Sequence, residues 1–424
     1  MNPDFFEASK VWWRIGLLSF GGPAGQIALI HREVVETRKW IAEREFLHAL
    51  NFCMLLPGPE AMQLATYIGW RLHGVKGGLV AGLLFLIPGA VVMLVLSALY
   101  GLYGKSSFVE NIFWGVKAAV LVIVLQALLR ISKKALKGPI DWAIAAFAFV
   151  ALFFFAVPFP LVVLIAAVIG IFNAKASVLE LTSLPAFPSG SKTLKTVSIW
   201  ATIWLLPLGM IYQFFGSSHV FSGLAVFFSQ LAVVTFGGAY AVLSYMGQDV
   251  VEMHKWLTTR EMMDGLGMAE TTPGPLILVG QFVGFTAAAK AQASLWAGLV
   301  GSIIFLWMTF VPCFLWIFAG APYVQHLQNM PRISRALSAI TAAVVGVILN
   351  LSLWFGLHVV FGEVQRRVGL VPVWWPRFET FDLASLILSL IAGLALLHFR
   401  FGIPKTLAMA ATLGVIWKTL VPLI

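Results

Sequence analysis

Two short motifs, each present twice, are the residues of this chain best suited to binding chemistry. Phe20-Gly21-Gly22 recurs as Phe236-Gly237-Gly238, and Pro57-Gly58-Pro59 recurs as Pro273-Gly274-Pro275. Adjacent glycines weaken a helix by about 1 kcal/mol each relative to alanine, and proline removes a backbone donor. A helix that breaks there leaves N–H groups without partners, and the next helix N-terminus carries about half a positive charge. We therefore predict that these segments bind an anion.

The same motifs are compatible with two purely structural interpretations. Glycines in membrane helices often allow close packing, and Pro-Gly-Pro can form a tight surface turn. Apolar residues flank both Pro-Gly-Pro motifs, from Phe52 to Leu56 and from Leu276 to Val279. Irregular backbone at membrane depth persists only where it is buried in protein or lines a cavity. The flanks therefore favour an internal cavity.

Two carboxylates lie beside these motifs. Glu60 directly follows the first Pro-Gly-Pro, and Glu270 lies three residues before the second. An ionisable group at membrane depth is costly and is a functional candidate by default. Each is a candidate for carrying a coupling proton, with a position at a loop edge as the alternative.

Four cations are candidates for neutralising a bound anion. Two belong to charged segments that recur between the motifs, and two stand alone in or near apolar helices. Salt bridges at the membrane interface and snorkelling of the side chains are the structural alternatives. The four residues are Arg44, Arg260, Lys117 and Arg335.

Residue spacing excludes the common catalytic sites. Glu45-x-x-His48 has the form of a di-iron motif, but the second half has Asp264 in place of the histidine. No histidine pair suits zinc, and no Gly-x-Ser-x-Gly or nucleotide-binding loop is present. We predict no cofactor, no metal and no enzymatic activity, with energy supplied by an ion gradient or by a partner.

The composition places the chain in a membrane. Its 424 residues are 60% hydrophobic and 11% charged, whereas soluble proteins average about 25% charged residues. The net charge of +10 resides in short segments between apolar stretches, such as Lys133 and Lys134, which is typical of cytoplasmic loops and not of nucleic-acid binding. Cys53 and Cys313 lie in apolar stretches, which disfavours a disulfide. The N-terminus lacks the features of a cleaved signal peptide.

We predict an all-α polytopic membrane protein with about eleven to thirteen crossings. The stretches 46–70 and 262–286, which contain Pro-Gly-Pro, either cross as broken helices or fold back as hairpins. The other predicted spans are 11–30, 79–103, 109–130, 140–157, 160–173, 196–215, 219–246, 293–319, 333–361, 382–399 and 403–424.

The chain consists of two homologous halves. Besides the two motifs, a shift of 216 positions superposes Lys39-Trp40 on Lys255-Trp256 without any gap. We predict repeats at 1–173 and 219–424, joined by a segment at 174–218 that contains a linker and an extra helix. Paired repeats with interrupted apolar segments are typical of secondary transporters. The residues alone do not decide whether the two repeats are parallel or inverted in the membrane.

The motifs resemble those of the chromate ion transporter family in its long, two-domain form. The resemblance rests on Phe-Gly-Gly-Pro at Phe20 to Pro23, the charged segment ending at Trp40, and Pro-Gly-Pro at Pro57 to Pro59. A glycine-rich stretch from Gly69 to Gly78 and then Pro88 follow. The second half repeats a degraded version that ends near Pro312.

The resemblance implies inverted halves and export of chromate from the bacterial cytoplasm in exchange for protons, which makes the protein an antiporter of the inner membrane. It also implies sulfate as a related substrate, because both ions are tetrahedral dianions. The family often has a glutamine shortly before the first Pro-Gly-Pro, whereas Gln63 lies beyond it here. A channel-like anion conductor and a structural subunit remain alternatives, and the oligomeric state is open, with a homodimer as one option.

Overall fold

Helices form nearly everywhere in the chain because its long apolar stretches contain few residues that interrupt them. The computed structural model describes residues 3–173, 190–236, 239–324, 330–367 and 373–420. Most of the predicted linker, and the glycines Gly237 and Gly238, therefore lie outside the described residues. The first half contains α1 (Phe5–Leu18), α2 (Gly22–His31), α3 (Glu43–Cys53), α4 (Glu60–Tyr103), α5 (Ser107–Ala135), α6 (Pro139–Phe155) and α7 (Phe159–Phe172).

A long helix, α8 (Gly190–Phe215), precedes the second half. A β-hairpin of β1 (Val364–Arg367) and β2 (Val373–Pro376) lies between the last long helix and the two final ones, and Val364 pairs with Pro376. The remaining helices are α9 (Val220–Val234), α10 (Ala239–Gln248), α11 (Thr259–Thr271), α12 (Val279–Gln292), α13 (Leu295–Gly320), α14 (Pro331–Val360), α15 (Leu383–Gly393) and α16 (Ile403–Leu420).

The duplication is visible in local backbone conformation. A π-helical turn follows α2 at Arg32–Thr37, and another follows α10 at Asp249–Met253. Each turn is followed by a lysine with positive φ, 53° at Lys39 and 54° at Lys255. Positive φ is uncommon for residues other than glycine. Its recurrence after the same shift of 216 positions shows that the two halves share local structure and not only sequence.

Five helices of the described chain are long and apolar enough to cross a membrane: Glu60–Tyr103, Ser107–Ala135, Gly190–Phe215, Leu295–Tyr323 and Arg332–Val360. Five other apolar helices have only 10 to 17 residues. Fewer segments thus reach full crossing length than the eleven to thirteen predicted. The reason is that stretches such as 11–30 and 219–246 are each divided between two shorter helices.

The first Pro-Gly-Pro stretch folds back as a hairpin. Helix α4 has non-helical backbone angles at His73 and Gly74, which divide it into an N-terminal arm (60–72) and a C-terminal arm (75–103). Arg71 Nε lies 2.8 Å from Glu45 Oε1, and the rings of Phe52 and Tyr67 are 5.9 Å apart. These contacts make α3 antiparallel to the N-terminal arm. Of the two alternatives for 46–70, the structure therefore has the hairpin.

The long helices of the two repeats run in opposite directions. The C-terminal arm of α4 and helix α13 each contain an internal proline, Pro88 and Pro312 respectively. Phe318 lies against Gly78, whereas Phe314 lies against Gly82. As the residue number rises along α4, the number of the contacting residue in α13 falls, so the two helix axes are antiparallel. This pairing agrees with inverted repeats.

Each of two compact units takes segments from both halves. Unit 1 comprises Met1–Ala98, Ile171–Val242 and Thr272–Leu337, and unit 2 comprises Leu99–Gly170, Leu243–Thr271 and Ser338–Ile424. Unit 1 contains both Pro-Gly-Pro motifs. A core of small and branched residues packs unit 2, including Ile144, Ala148, Val162, Ala339, Ala342 and Ala343. Because the units interleave the halves, the repeat boundaries at 173 and 219 stay a prediction.

Candidate functional site

The chain breaks at the first Phe-Gly-Gly motif. Helix α1 ends at Leu18, and α2 begins at Gly22. Gly21 and Gly22 have φ of 88° and 70°. Residues with a Cβ atom rarely adopt such positive values, whereas glycine does so readily. Pro23 occupies the first turn of α2, and no side chain caps this helix. The sequence-predicted break is therefore present, and it leaves an uncapped helix N-terminus.

Each Pro-Gly-Pro motif bonds to the helix end of the opposite half. The Gly58 N–H donates to the Thr235 carbonyl oxygen at 2.8 Å, which we call the first crossing. The Gly274 N–H donates to the Ser19 carbonyl oxygen at 2.9 Å, which we call the second crossing. Both donors and both acceptors are related by the shift of 216 positions. The two kinds of motif thus meet inside unit 1, and the contacts obey the two-fold relation of the repeats.

The crossings also change which backbone groups can meet an anion. The N–H groups of Gly58 and Gly274 already donate to carbonyl oxygens. In this conformation they are not free donors, although the sequence predicted that they bind the substrate. The prolines that flank the two glycines are also buried: Pro57, Pro59, Pro273 and Pro275. Beside the helix ends, Phe20 is exposed and Phe236 is half-buried.

Glycine is required at both crossings. Gly58 has a φ of 126°, and a Cβ there would lie 2.7 Å from Gln63 Nε2 and 2.9 Å from Cys313 Sγ. Gly274 has a φ of 86°, and its Cβ would lie 3.3 Å from the Gly89 Cα. Gly89 directly follows Pro88, as Cys313 follows Pro312. Each Pro-Gly-Pro tip therefore packs against the residue after the proline in a long helix of the other half.

Two buried glutamines hold these tips. Gln63 is fully buried, and its Nε2 donates to the Pro57 carbonyl oxygen at 2.7 Å. Gln26 is 2% exposed, and its Nε2 donates to the carbonyl oxygens of Gly274 at 2.5 Å and Ser19 at 3.3 Å. The sequence analysis singled out Gln63 and missed Gln26. A lone amide within an apolar segment was the available signal, since a buried amide needs hydrogen-bond partners.

The predicted proton carriers occupy different surroundings. Glu60 is the first residue of α4 and is half-buried, at a helix end that favours negative charge. Glu270 is 5% exposed and lies near the end of α11. Glu60 belongs to unit 1 and Glu270 to unit 2.

The four predicted cations are divided equally between the two units. Arg44 is exposed on α3, with its Nε 3.4 Å from His48 Nε2. Arg335 is half-buried on α14 and belongs to unit 1. Arg260 and Lys117 belong to unit 2, where each is paired with a carboxylate. The charges of Arg260 and Lys117 are thus neutralised by these carboxylates.

The partner of Lys117 is Asp264, on α11. Lys117 Nζ lies 2.9 Å from Asp264 Oδ1, and the Tyr100 hydroxyl donates to Oδ2 at 2.7 Å. The side chains of Asp264 and Lys117 are 2% and 15% exposed. The sequence analysis considered Asp264 only as a missing histidine. Nothing local could have paired it with Lys117, because the two residues lie in different halves.

The amino-acid sequence matches a known family. The family model described as chromate transporter matches residues 6–171 and 222–416. The chain belongs to the chromate transporter family. This confirms the resemblance found in the motifs. Because members are transport proteins, the chain is a multi-pass membrane transport protein and not an enzyme.

Full-length relatives carry the same description. The probable chromate transport protein of Synechococcus elongatus is 27% identical over 97% of this chain and 95% of its own length. The chromate transport protein of Cupriavidus metallidurans is 27% identical, over 95% and 90%. That of Pseudomonas aeruginosa is 31% identical, over 79% and 77%. No solved structure matches the chain.

Residues of the charged segments in this family member form ion pairs. In unit 1, Arg38 pairs with Glu33 and stacks its guanidinium over Trp40. In unit 2, Arg366 of the β-hairpin lies 2.8 Å from Glu252. Burial raises the pKa of Glu252, with a further contribution from Asp249, although Arg366 opposes the shift. These ion pairs therefore stabilise the packing of the charged segments within each unit.

Proposed function

We propose that this protein is a secondary transporter that exports a tetrahedral oxyanion, with chromate as the foremost substrate, across the inner membrane. Three relatives that match over 77% to 95% of their own length are named for chromate transport. Sulfate is the closest alternative, because it has the same charge and shape. A dianion loses a large hydration energy on leaving water, so its site must supply charge or oriented donors.

The pair of crossings in unit 1 is the observation that carries the proposal. Each crossing joins a broken segment of one half to a helix end of the other. Inverted repeats that share a broken-helix core are typical of carriers that work by alternating access. Because the halves are related by a pseudo-two-fold axis, opening one crossing while the other stays closed gives two related conformations.

The uncapped start of α2 is the proposed anion site. Gly21 would place a Cβ in open space, and the Tyr240 hydroxyl lies near Gly22. Free N–H groups and the helix dipole both favour an anion there. Gly237 and Gly238 are the equivalent residues of the second half. The N–H groups of Gly58 and Gly274 join the site only when their crossings open.

Side chains complete the proposed site. Gln63 positions the first Pro-Gly-Pro through Pro57. Arg44 and Arg335 of unit 1 add positive charge. Protons supply the driving force through a buried carboxylate, for which Glu60 and Glu270 are the candidates from the sequence.

The test is chromate uptake into everted membrane vesicles from cells with and without this protein. We expect protein-dependent uptake that requires a proton gradient and falls when sulfate is added. Uptake insensitive to the gradient would indicate a channel-like conductor. Absence of uptake, with the protein present in the membrane, would contradict chromate as the substrate and leave a structural subunit or another anion.

A single substitution tests the site. Gly22→Leu should abolish uptake while membrane insertion is retained, because φ of 70° and the nearby Tyr240 hydroxyl leave no strain-free place for leucine. Gly209→Leu is the matched control, since a Cβ on this helical residue of α8 meets no atom within 4 Å. Wild-type uptake by Gly22→Leu would remove the motif from the proposed site.

A further inference from the structure

Two ion pairs join α5 to α11 in unit 2, and they differ in burial. Arg260 and Glu110 are 2.9 Å apart with side chains 50% and 39% exposed. Lys117 and Asp264 are also 2.9 Å apart, but their side chains are 15% and 2% exposed. The exposed pair is screened by water and contributes little. The buried pair is shielded from water, so its protonation state has large consequences.

Stability alone does not account for the buried pair. Removing two charges from water is costly, and well-packed apolar residues of similar size often stabilise a protein equally well. Lys117 lies ten residues into a 29-residue helix of membrane-spanning length, about 15 Å along its axis. Ionisable groups at such depth are rare and are found on ion and proton pathways.

Each oxygen of the Asp264 carboxylate lies beside a different side chain. Lys117 Nζ faces Oδ1, and the Tyr100 hydroxyl faces Oδ2. A proton added to this carboxylate removes the negative charge and leaves the Lys117 ammonium buried without a counter-charge. The protonated cluster is therefore unstable in the arrangement seen here. A two-state element biased by one proton is what a gradient-driven carrier requires.

We propose that Asp264, held by Lys117 and Tyr100, is the proton-carrying residue that couples the ion gradient to transport. This inference rests on the proposed function and names the residue through which that function is energised. The carboxylate takes a proton from water on one side of the membrane and becomes a neutral acid. It releases the same proton to water on the other side, and no other bond changes.

The position of Asp264 on α11 supplies the connection to transport. Helix α11 ends at Thr271, two residues before Pro273 of the second Pro-Gly-Pro motif. A shift of α11 relative to α5 therefore displaces the directly connected segment that forms the second crossing. Glu270 lies on the same helix, so the test must separate the two carboxylates.

Other charged groups of the described chain lie around the pair. Helix α5 contributes Glu110, and α11 contributes Arg260 and Glu261, which act on the cluster over a longer distance. On α16, Lys418 lies with its Nζ 4.7 Å from the ring centre of Trp114. The exposed positions of Arg260 and Glu110 leave Asp264 as the carboxylate in direct contact with Lys117.

The experiment compares two activities of the purified full-length protein in liposomes. One is accumulation of radioactive chromate driven by a pH gradient, and the other is exchange of radioactive for unlabelled chromate without any gradient. Exchange needs a working substrate pathway but no proton carrier. The variants are Asp264→Asn, Asp264→Glu, Glu270→Gln, Glu60→Gln and the double variant Lys117→Gln with Asp264→Asn. Glu110→Gln is the control, because it breaks only the exposed pair.

We expect Asp264→Asn to lose gradient-driven accumulation at least tenfold while it retains exchange, and Asp264→Glu to restore accumulation. If Asp264→Asn does not fold, the double variant removes the unpaired charge and should give the same separation. Accumulation at the wild-type level in the double variant would overturn the proposal. Loss of exchange together with accumulation in the double variant would also overturn it, by making the pair structural. A wild-type protein that moves no chromate would instead contradict the proposed function.

Discussion

The two crossings can be compared residue by residue, because the duplication gives each residue of one an equivalent in the other. Both use the same backbone hydrogen bond, from Gly58 to Thr235 and from Gly274 to Ser19. The first tip is braced by Gln63, which belongs to its own hairpin. The second is braced by Gln26, which reaches from the opposite half.

This difference shows which features the duplication preserved. The backbone contact depends on chain shape, which glycine and proline fix, and it is present in both halves. The braces depend on single side chains, and Val242 and Val279 occupy the positions equivalent to Gln26 and Gln63. At the second crossing the Gln26 amide thus bonds to the tip's own backbone across the halves, whereas at the first the Gln63 amide reaches the other half only at the Cys313 thiol. We infer that the two crossings open with unequal ease.

The largest expected effect comes from Gly58→Ala. Backbone strain at φ of 126° costs about 1–3 kcal/mol, and the new Cβ would overlap Gln63 and Cys313. Gly274→Ala should destabilise less, because its Cβ meets neighbours at 3.2 Å or more. Thermal unfolding in detergent measures both, with Gly209→Ala on α8 as the control. Equal losses would contradict the difference in packing between the two tips.

The glutamine braces give the next effect. Gln26→Leu and Gln63→Leu each leave a buried carbonyl oxygen without its amide donor, which costs about 1–3 kcal/mol. Gln26→Leu removes an amide hydrogen bond to a backbone carbonyl oxygen of the other half, whereas Gln63→Leu removes only a weaker bond to the Cys313 thiol across the halves. Gln26→Leu should therefore change the rate of chromate exchange more. The exposed residue Gln213 on α8 provides a control as Gln213→Leu. If Gln63→Leu alters the exchange rate more than Gln26→Leu does, the bond from Gln26 to Gly274 is not the cause of the unequal opening.

A thiol provides a reporter for the first crossing alone. Cys313 is 2% exposed and lies against Gly58, whereas the equivalent residue at the second crossing is Gly89. In a Cys53→Ala background, we expect slow alkylation of Cys313 at rest and an increase of several-fold during transport, because the crossing must open to admit the reagent. An alkylation rate that stays the same during transport would show that the first crossing remains closed throughout the cycle.

The smallest effect should come from the hydroxyl groups beside the two acceptors. Ser19 Oγ donates to the Ile15 carbonyl oxygen, and Thr235 Oγ1 donates to the Leu231 carbonyl oxygen. Ser19→Ala and Thr235→Val remove these bonds and should each cost about 1 kcal/mol in unfolding free energy. Because the two sites are equivalent, the losses should agree. A clear inequality would show that the two-fold relation does not extend to the helix ends.

Much of the fold could be predicted because it follows from local chemistry. Phe20-Gly21-Gly22 and Pro57-Gly58-Pro59 interrupt helices wherever they occur, so the breaks were predictable. The hairpin at 46–70 was not decided by the sequence, since a broken helix can cross or return with the same residues. Contacts such as Arg71 with Glu45 make the choice.

The candidate site was predicted in part. The glycine and proline motifs indicated which segments are irregular, but not that Gly58 and Gly274 already use their N–H groups on carbonyl oxygens. Lys117 was recognised as an unusual cation, yet its partner Asp264 was not, because the pairing spans the two halves. Such pairs depend on which helix faces lie together, which local sequence does not encode.

By itself, the sequence determined the membrane environment, the duplication and the places where helices break. Apolar composition fixes the first, and the backbone limits of glycine and proline fix the last. Only the tertiary structure decided which half each group bonds to. Gln26 and Gly274, 248 positions apart, show why. In a duplicated chain the same local residues fit a partner in either half, and the free energy of burying polar groups selects the arrangement that pairs them.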